Sequence, residues 1–159
     1  MILLKFEKEI KGEADVADHT GWINIDSLQW GVGRSISSVG AGGDRDTSNP
    51  SFSEVTCTKS CDLASTELFI QATNGISLGK AEIHFIQTKG ADQGNQVYLI
   101  VELGEAIVSS YSTSSGGDRP SESFSLNFTT FSYQYNKFDG GTKTEGEKKG
   151  WDLTKNQKL

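Results

Sequence analysis

Apolar and polar residues alternate along most of the chain, a pattern typical of β-strands with one buried face. Residues 123–129 show it most regularly, because Phe124, Leu126 and Phe128 share one face and small uncharged polar residues share the other. Turn-forming residues separate the alternating segments. The pattern predicts strands within residues 2–6, 22–30, 52–59, 80–85, 97–103, 107–108, 123–129, 131–135 and 149–153.

Three segments depart from plain alternation. In residues 22–30 the apolar face changes side, which predicts a bulge or bend near Asp26-Ser27. Residues 31–50 are rich in Gly and Ser and predict a long loop. After Asp62, a suitable helix cap, apolar residues recur at helical spacing as far as Asn74-Gly75, a natural helix end. The apolar stripe of this helix consists of Leu63, Ala64, Leu68, Phe69 and Ala72.

These elements predict a mainly β fold: a small β-barrel of packed antiparallel sheets with one flanking α-helix, forming a single domain over residues 1–159. The formal net charge of −6 argues against a nucleic-acid partner, because the chain has no basic patch. No apolar run has the length of a bilayer span, so no membrane insertion is expected. The first residues do not form a cleavable secretory signal, so any export is expected to proceed without one.

Candidate chemistry is sparse. Cys57 and Cys61 supply half of a zinc site, and two reduced thiols are favoured over a disulfide. Neither His19 nor His84 has a partner in a recognisable nucleophile motif. The sequence therefore predicts a protein that is not an enzyme and that has no metal, cofactor or catalytic residue.

Several segments, in order along the chain, resemble the Hcp family, the tube protein of bacterial type VI secretion systems. The matching segments are Lys11-Gly-Glu13, Gly21-Trp-Ile23, Trp30-Gly31, Thr58-Lys59, Asp62, Ala64-Ser65, Val108-Ser-Ser110, Ser115 to Phe128 and Gly150-Trp-Asp-Leu153. The resemblance implies a homohexamer whose stacked rings form a hollow tube inside a contractile sheath, beneath a VgrG-like spike. It also implies effector proteins carried and protected in the lumen. Such a protein assembles in the bacterial cytoplasm and is secreted to the extracellular space or a target cell without a signal peptide.

Successive side chains of a strand point to opposite faces, so the residues that alternate with the apolar ones should point away from the core. Such side chains are candidates for the wall of the ring. The candidate lumen or cargo contacts are Gln29, Ser123, Ser125, Asn127 and Thr129. A contact between subunits and an ordinary solvated surface are the alternatives for the Ser, Asn and Thr row, and plain surface exposure is the alternative for Gln29.

The long loop is the candidate contact between stacked rings, because loops on rigid scaffolds often carry binding. Its candidate residues are Val39, Gly40, Gly42, Gly43, Asp44, Arg45, Asp46 and Asn49. Simple disorder is the alternative for this loop. The alternatives for the whole chain are a monomeric secreted β-barrel effector and a small-ligand-binding module.

Overall fold

Strands dominate the computed structural model, which describes residues 1–37 and 45–159. In chain order the strands are β1 (Ile2–Phe6), β2 (Ile23–Ile25), β3 (Ser27–Gln29), β4 (Val32–Gly33), β5 (Ser51–Phe52), β6 (Val55–Ser60), β7 (Ala81–Thr88), β8 (Asn95–Gly104), β9 (Ile107–Ser114), β10 (Ser121–Asn127), β11 (Thr130–Tyr135), β12 (Lys137–Asp139), β13 (Thr142–Thr144), β14 (Lys149–Asp152) and β15 (Gln157–Lys158). The helices are α1 (Ser65–Asn74) and the single turn α2 (Gly90–Gln93).

Two antiparallel sheets form the body of the fold. The larger has the strand order β15-β14-β11-β8-β7-β1-β2, and the smaller has the order β3-β6-β10-β9. The pairs β4–β5 and β12–β13 form small separate hairpins. The predicted mainly β fold with antiparallel sheets and a flanking helix is confirmed. Within the described ranges no strand ladder joins the two main sheets, so hydrogen bonds do not close them into a continuous barrel.

The main core lies between the two sheets. Leu4 and Phe6 of β1 enter it from the larger sheet, and Phe124 and Leu126 of β10 enter it from the smaller one; all four are fully buried. Burial of each of these side chains stabilises the fold by about 1.5–3 kcal/mol. The alternation seen in the sequence therefore identifies the buried faces of β1 and β10 correctly. In β11 it does not, because Tyr133 and Tyr135 are exposed and Ser132 is buried.

The change of apolar face in residues 22–30 has a tertiary cause. β2 pairs with β1 in the larger sheet, whereas β3 pairs with β6 in the smaller sheet. The chain crosses between the sheets at Asp26, whose N–H donates to the Thr58 carbonyl at 2.8 Å. The bend was predicted, and the crossing between sheets explains it.

The helix ends where the sequence predicts. Gly75 takes the left-handed conformation at φ +65°, and its N–H donates to the Gln71 carbonyl. The start differs, because Asp62 accepts the N–H of Ala64 in the turn before α1 and does not cap its first helical turn. Neither helix in the described part of the chain is long and apolar enough to span a bilayer.

The predicted apolar stripe of α1 is correct only in part. Ala64 and Leu68 are fully buried, but Leu63 is 57% exposed and Phe69 is 52% exposed. Leu63 and Phe69 therefore belong to the apolar stripe of the sequence but lie outside the buried surface in the isolated chain. Helical spacing of the apolar residues identified the helix correctly. The sheet, however, covers only some of these apolar residues.

The base of the predicted long loop is a narrow hairpin. Val32 of β4 pairs with Phe52 of β5, and an isolated bridge joins Ile36 to Thr47. The loop is therefore anchored through several residues at both ends rather than leaving the sheet at a single point.

Residues 11–22, here called the strap, cover part of the outer face of the larger sheet. A second apolar cluster lies beneath the strap, with Ala14 and Trp22 packed against Leu3 and Ile86. Gly12 runs against the backbone of Trp22, where an added Cβ would lie 2.2 Å from the carbonyl oxygen. Leu3 alternates with the core residues of β1, so the strap explains its burial on what is otherwise the polar face.

Candidate functional site

Small uncharged side chains cover the outward face of the four-stranded sheet. The strand registers align them in two rows across β3, β6, β10 and β9. We call this surface the hydroxyl face; its members are Ser27, Gln29, Thr56, Thr58, Ser110, Ser112, Ser123 and Ser125. None of the eight carries a formal charge, which is unusual for an outward sheet face of a protein with 23% charged residues.

Hydrogen bonds connect neighbouring strands across the hydroxyl face. Thr56 and Ser125 join their hydroxyl groups at 3.2 Å, and Ser27 and Thr58 do the same across the β3–β6 pair. The Ser112 hydroxyl donates to the Ser123 carbonyl at 3.5 Å. The face is therefore a hydrogen-bonded surface of short side chains with spare donors and acceptors toward solvent.

The orientation of this face is fixed by the residues between its members. Cys57 and Val55 of β6 and Phe124 of β10 alternate with the hydroxyl residues and are fully buried. A slip of one residue in register would exchange the two faces and place these apolar side chains in water. The hydrophobic core thus keeps the hydroxyl groups outward.

The predicted lumen contacts divide into two groups. Gln29, Ser123 and Ser125 lie on the hydroxyl face, and Asn127 is exposed at the end of β10. Thr129 lies beyond the strand in a bend, where its hydroxyl is 3.4 Å from the Gly104 carbonyl. It therefore does not continue the row as the alternation suggested. The role of all five residues stays a prediction.

Sequence reasoning missed several members of the hydroxyl face. Thr56 and Thr58 alternate with buried residues on β6, and this signal was visible in the sequence. Ser110 and Ser112 were not expected, because β9 runs to Ser114, beyond the apolar pair used to predict it. A strand with few apolar residues is recognised only when its partner is known.

Only part of the predicted ring-stacking loop can be placed. Val39, Gly40, Gly42, Gly43 and Asp44 lie outside the described residues.

The other three loop candidates are exposed. The Asp46 N–H donates to the Ser37 hydroxyl at 2.9 Å. Asn49 accepts a hydrogen bond from the Asn156 amide at 2.6 Å, and Arg45 lies nearby in sequence. The loop therefore meets the C-terminal turn, and its role in stacking stays a prediction.

A buried ionic cluster lies on the inner side of the same sheet. Lys59 is fully buried, and its Nζ lies 2.7 Å from Asp62 and 3.0 Å from Glu122. The ammonium group also donates to the Ser65 hydroxyl at 3.3 Å. These bonds join β6, β10 and the start of α1, so the cluster holds the helix against the sheet. The sequence pattern predicts that Lys59 lies in a strand, but it does not indicate this role.

Opposing influences act on the Glu122 carboxyl. Burial raises its pKa, but hydrogen bonds from Ser65 and Lys59 outweigh burial, and the pKa lies below its ordinary value. Glu122 therefore remains an anion paired with the buried ammonium group. The bonds that this cluster makes between the strands and the helix give it a structural role.

The two cysteines are not bonded to each other. Cys57 and Cys61 are both free thiols, and burial raises the pKa of Cys57 to about 12. Within residues 1–37 and 45–159, no group of three or more His, Cys, Asp or Glu side chains is arranged to hold a metal ion.

Comparison with known proteins identifies the family. Residues 3–135 match the family model for "Type VI secretion system effector, Hcp". The chain is 33% identical over 107 residues to protein hcp1 of Pseudomonas aeruginosa, and this alignment covers 65% of each protein. It thus spans slightly less than two thirds of that relative's length.

Solved structures show the same fold along the whole chain. One, described as a type six secretion system protein, has a TM-score of 0.89 at 26% identity and covers 99% of this chain and 98% of its own. Hcp1 from Salmonella typhimurium has a TM-score of 0.76 at 24% identity, covering 99% and 97%, which supports the fold alone. The family match and the shared architecture agree with the β fold and flanking helix found here. The chain belongs to the Hcp family of the type VI secretion system.

Proposed function

We propose that this protein is a structural, non-enzymatic tube subunit that closes into hexameric rings, stacks into a hollow tube and carries effectors in the ring lumen. Family membership over residues 3–135 is the observation that carries the proposal. The hydroxyl face gives it a physical basis, because this outward sheet face has the composition expected of a channel wall.

The edges of the four-stranded sheet suggest how a ring closes. β3 and β9 are its outer strands. Exposed strand edges offer backbone hydrogen bonds to another chain. If β9 of one subunit lies against β3 of the next, the contact is head-to-tail and can repeat around an axis until the ring closes. The hydroxyl faces of successive subunits then form one continuous inner wall.

The side chains of that wall suit a cargo channel. Ser and Thr are short, so they narrow the opening little, and their hydroxyl groups can both donate and accept hydrogen bonds. Gln29 has the longest side chain of the hydroxyl face and is exposed. Contacts with effectors at Gln29, Ser123 and Ser125 would therefore rely on hydrogen bonds rather than on charge.

The outer face of the larger sheet differs sharply. Lys80 forms ion pairs with Glu82 and Glu102, and Lys148 forms another with Glu102. A charged, hydrated surface fits the outside of a tube, where the sheath lies and from which the tube must separate. A VgrG-like spike would cap one end, and the assembled tube would carry the subunit out of the bacterial cytoplasm.

Native mass determination together with negative-stain images of the purified protein tests this proposal. We expect the mass of six subunits and ring-shaped particles. A monomer at high protein concentration, without rings at any salt concentration, would contradict the proposal and favour a monomeric effector or a small-ligand-binding module.

A further inference from the structure

Two histidines join the strap to the larger sheet. His19 of the strap and His84 of β7 approach with Nε2 and Nδ1 2.8 Å apart, and we call them the histidine pair. Trp22 packs against both rings, with centroid distances of 4.6 and 4.7 Å. His84 pairs with Leu3 in the sheet register, so the contact lies directly beside the apolar cluster beneath the strap.

The hydrogen bonds determine where the protons lie. His19 Nδ1 is 3.1 Å from the Ala17 carbonyl, which can only accept, so this nitrogen carries a hydrogen. A neutral imidazole has one N–H, and His19 Nε2 is therefore an acceptor. His84 Nδ1–H donates to it, which leaves His84 Nε2 unprotonated and 4.0 Å from the Glu82 carboxylate.

We propose that the histidine pair is a proton-sensitive contact that tolerates one added proton and breaks on the second, releasing the strap from the sheet. The first proton binds His84 Nε2, where it faces Glu82 and leaves the bond to His19 intact. The second must bind His19 Nε2, which would place two N–H groups against each other across 2.8 Å. Two cationic rings in contact would then separate.

The surroundings of His84 favour its neutral form at neutral pH. Burial is the main cause of its lowered pKa, followed by electrostatic repulsion between the two rings. Glu82 and Glu102 act in the opposite direction, and Lys80 adds to the lowering.

The remaining charged groups near the pair lie on β1 and on the strap itself. Lys5 of β1 lies over the Trp22 ring, with its Nζ 5.8 Å from the centroid. The strap's own carboxyl groups, on Glu13, Asp15 and Asp18, are on exposed residues.

Proton counting gives the expected pH dependence. With the strap closed the pair accepts no added proton until pH falls below the lowered pKa of His84, and at most one below it. With the strap open both rings accept a proton, so the open state binds one or two more protons than the closed state. A state that binds one more proton gains about tenfold in population for each unit by which pH falls. Acidification below the ordinary histidine pKa therefore opens the strap and uncovers Leu3, Ile86 and Trp22, while the main core between the sheets stays folded.

Hydrogen exchange of the wild-type chain, measured by NMR between pH 7 and about pH 4.5, tests the proposal. The amides of Ala14 and Trp22, which bond within the strap, report opening, and the amide of Phe124 in β10 is the internal control. After correction for intrinsic exchange rates, we expect strap opening to rise by about tenfold to a hundredfold per pH unit below the ordinary histidine pKa, and we expect the control to stay constant. A strap whose opening does not change with pH would overturn the proposal.

Two variants separate the roles of the two rings. His19→Gln keeps an acceptor at the position of Nε2 but cannot be protonated there. His84 alone then contributes, so opening should rise by at most about tenfold per pH unit and level off once His84 is protonated in the closed state. His84→Asn keeps a donor toward His19 and leaves His19 able to titrate, so the pH dependence should persist. Equal pH dependence in His19→Gln and the wild type would refute the mechanism. If His19→Gln does not fold, ¹⁵N spectra of the histidine rings in the wild type provide the test. The proposal predicts that His19 Nε2 gains a proton as the strap opens. An Nε2 that stays unprotonated while the strap opens would overturn the proposal.

Discussion

Removal of the buried ammonium group should destabilise the fold strongly. In Lys59→Met, the nearly fully buried carboxylate of Glu122 loses its cation, and its Oε1 already has no hydrogen-bond partner in the described structure. Breaking a buried ion pair from one side costs about 3–5 kcal/mol. That is a large share of a total folding stability of about 5–15 kcal/mol. For a chain of this length the melting temperature should fall by about 6–20 °C.

Urea unfolding of wild type and variant measures this loss. Lys149→Met is the matched control, because its ammonium group is exposed, and it should change stability by less than about 0.5 kcal/mol. Adding Glu122→Gln to Lys59→Met removes the buried unpaired charge and should recover part of the loss. A loss below about 1 kcal/mol in Lys59→Met would refute the reasoning.

The pH dependence gives a second check on the same cluster. In the wild type the lowered pKa of Glu122 means that the carboxyl stabilises the fold above its unfolded pKa. That stabilisation is lost as pH falls through the folded pKa. In Lys59→Met the hydrogen bond from Lys59 no longer opposes the effect of burial, so the pKa of Glu122 rises. Protonation of Glu122 then removes the unpaired charge. The difference in stability between the two proteins should therefore shrink as pH falls toward 4, and a constant difference would show that charge is not the cause.

The remaining predictions concern the wall, the strap and the thiols. Ser123→Arg should leave ring assembly intact but abolish retention of an effector in a co-purification assay; unchanged retention would argue against a lumen position. Gly12→Ala should cost about 1–3 kcal/mol, because its Cβ would meet the Trp22 carbonyl at 2.2 Å, whereas Gly116→Ala has open space and should be near neutral in the same thermal melt. Cys57, with a pKa near 12, should resist iodoacetamide at pH 7.5 in the folded protein and react after unfolding, as read by mass spectrometry; rapid labelling of the folded protein would contradict its burial.

The outward face of β10 could be predicted from the sequence because strand side chains repeat with a period of two. Phe124 and Leu126 fix the inward side, so Ser123 and Ser125 must point outward. The alternation stops where β10 ends, and Thr129 therefore lies outside the hydroxyl face. The change of parity from Phe128 to Phe131 marks the end only approximately, because the position of the bend depends on where β11 joins β8 in the other sheet.

Other features required tertiary information. Lys59 has the parity of buried residues, but its position in the core makes sense only once Glu122 and Asp62 are known to lie beside it. The exposure of Phe69 depends on how much of α1 the sheet covers. The contact between His19 and His84 joins residues 65 positions apart, which no spacing rule identifies.

The hydroxyl face can be located directly by cryo-electron microscopy of the assembled particles at side-chain resolution. The account predicts a closed ring in which β3, β6, β10 and β9 of every subunit form the inner wall, with Ser123 and Gln29 facing the central opening. A ring that places the charged face of the larger sheet inside and the hydroxyl face outside would contradict it.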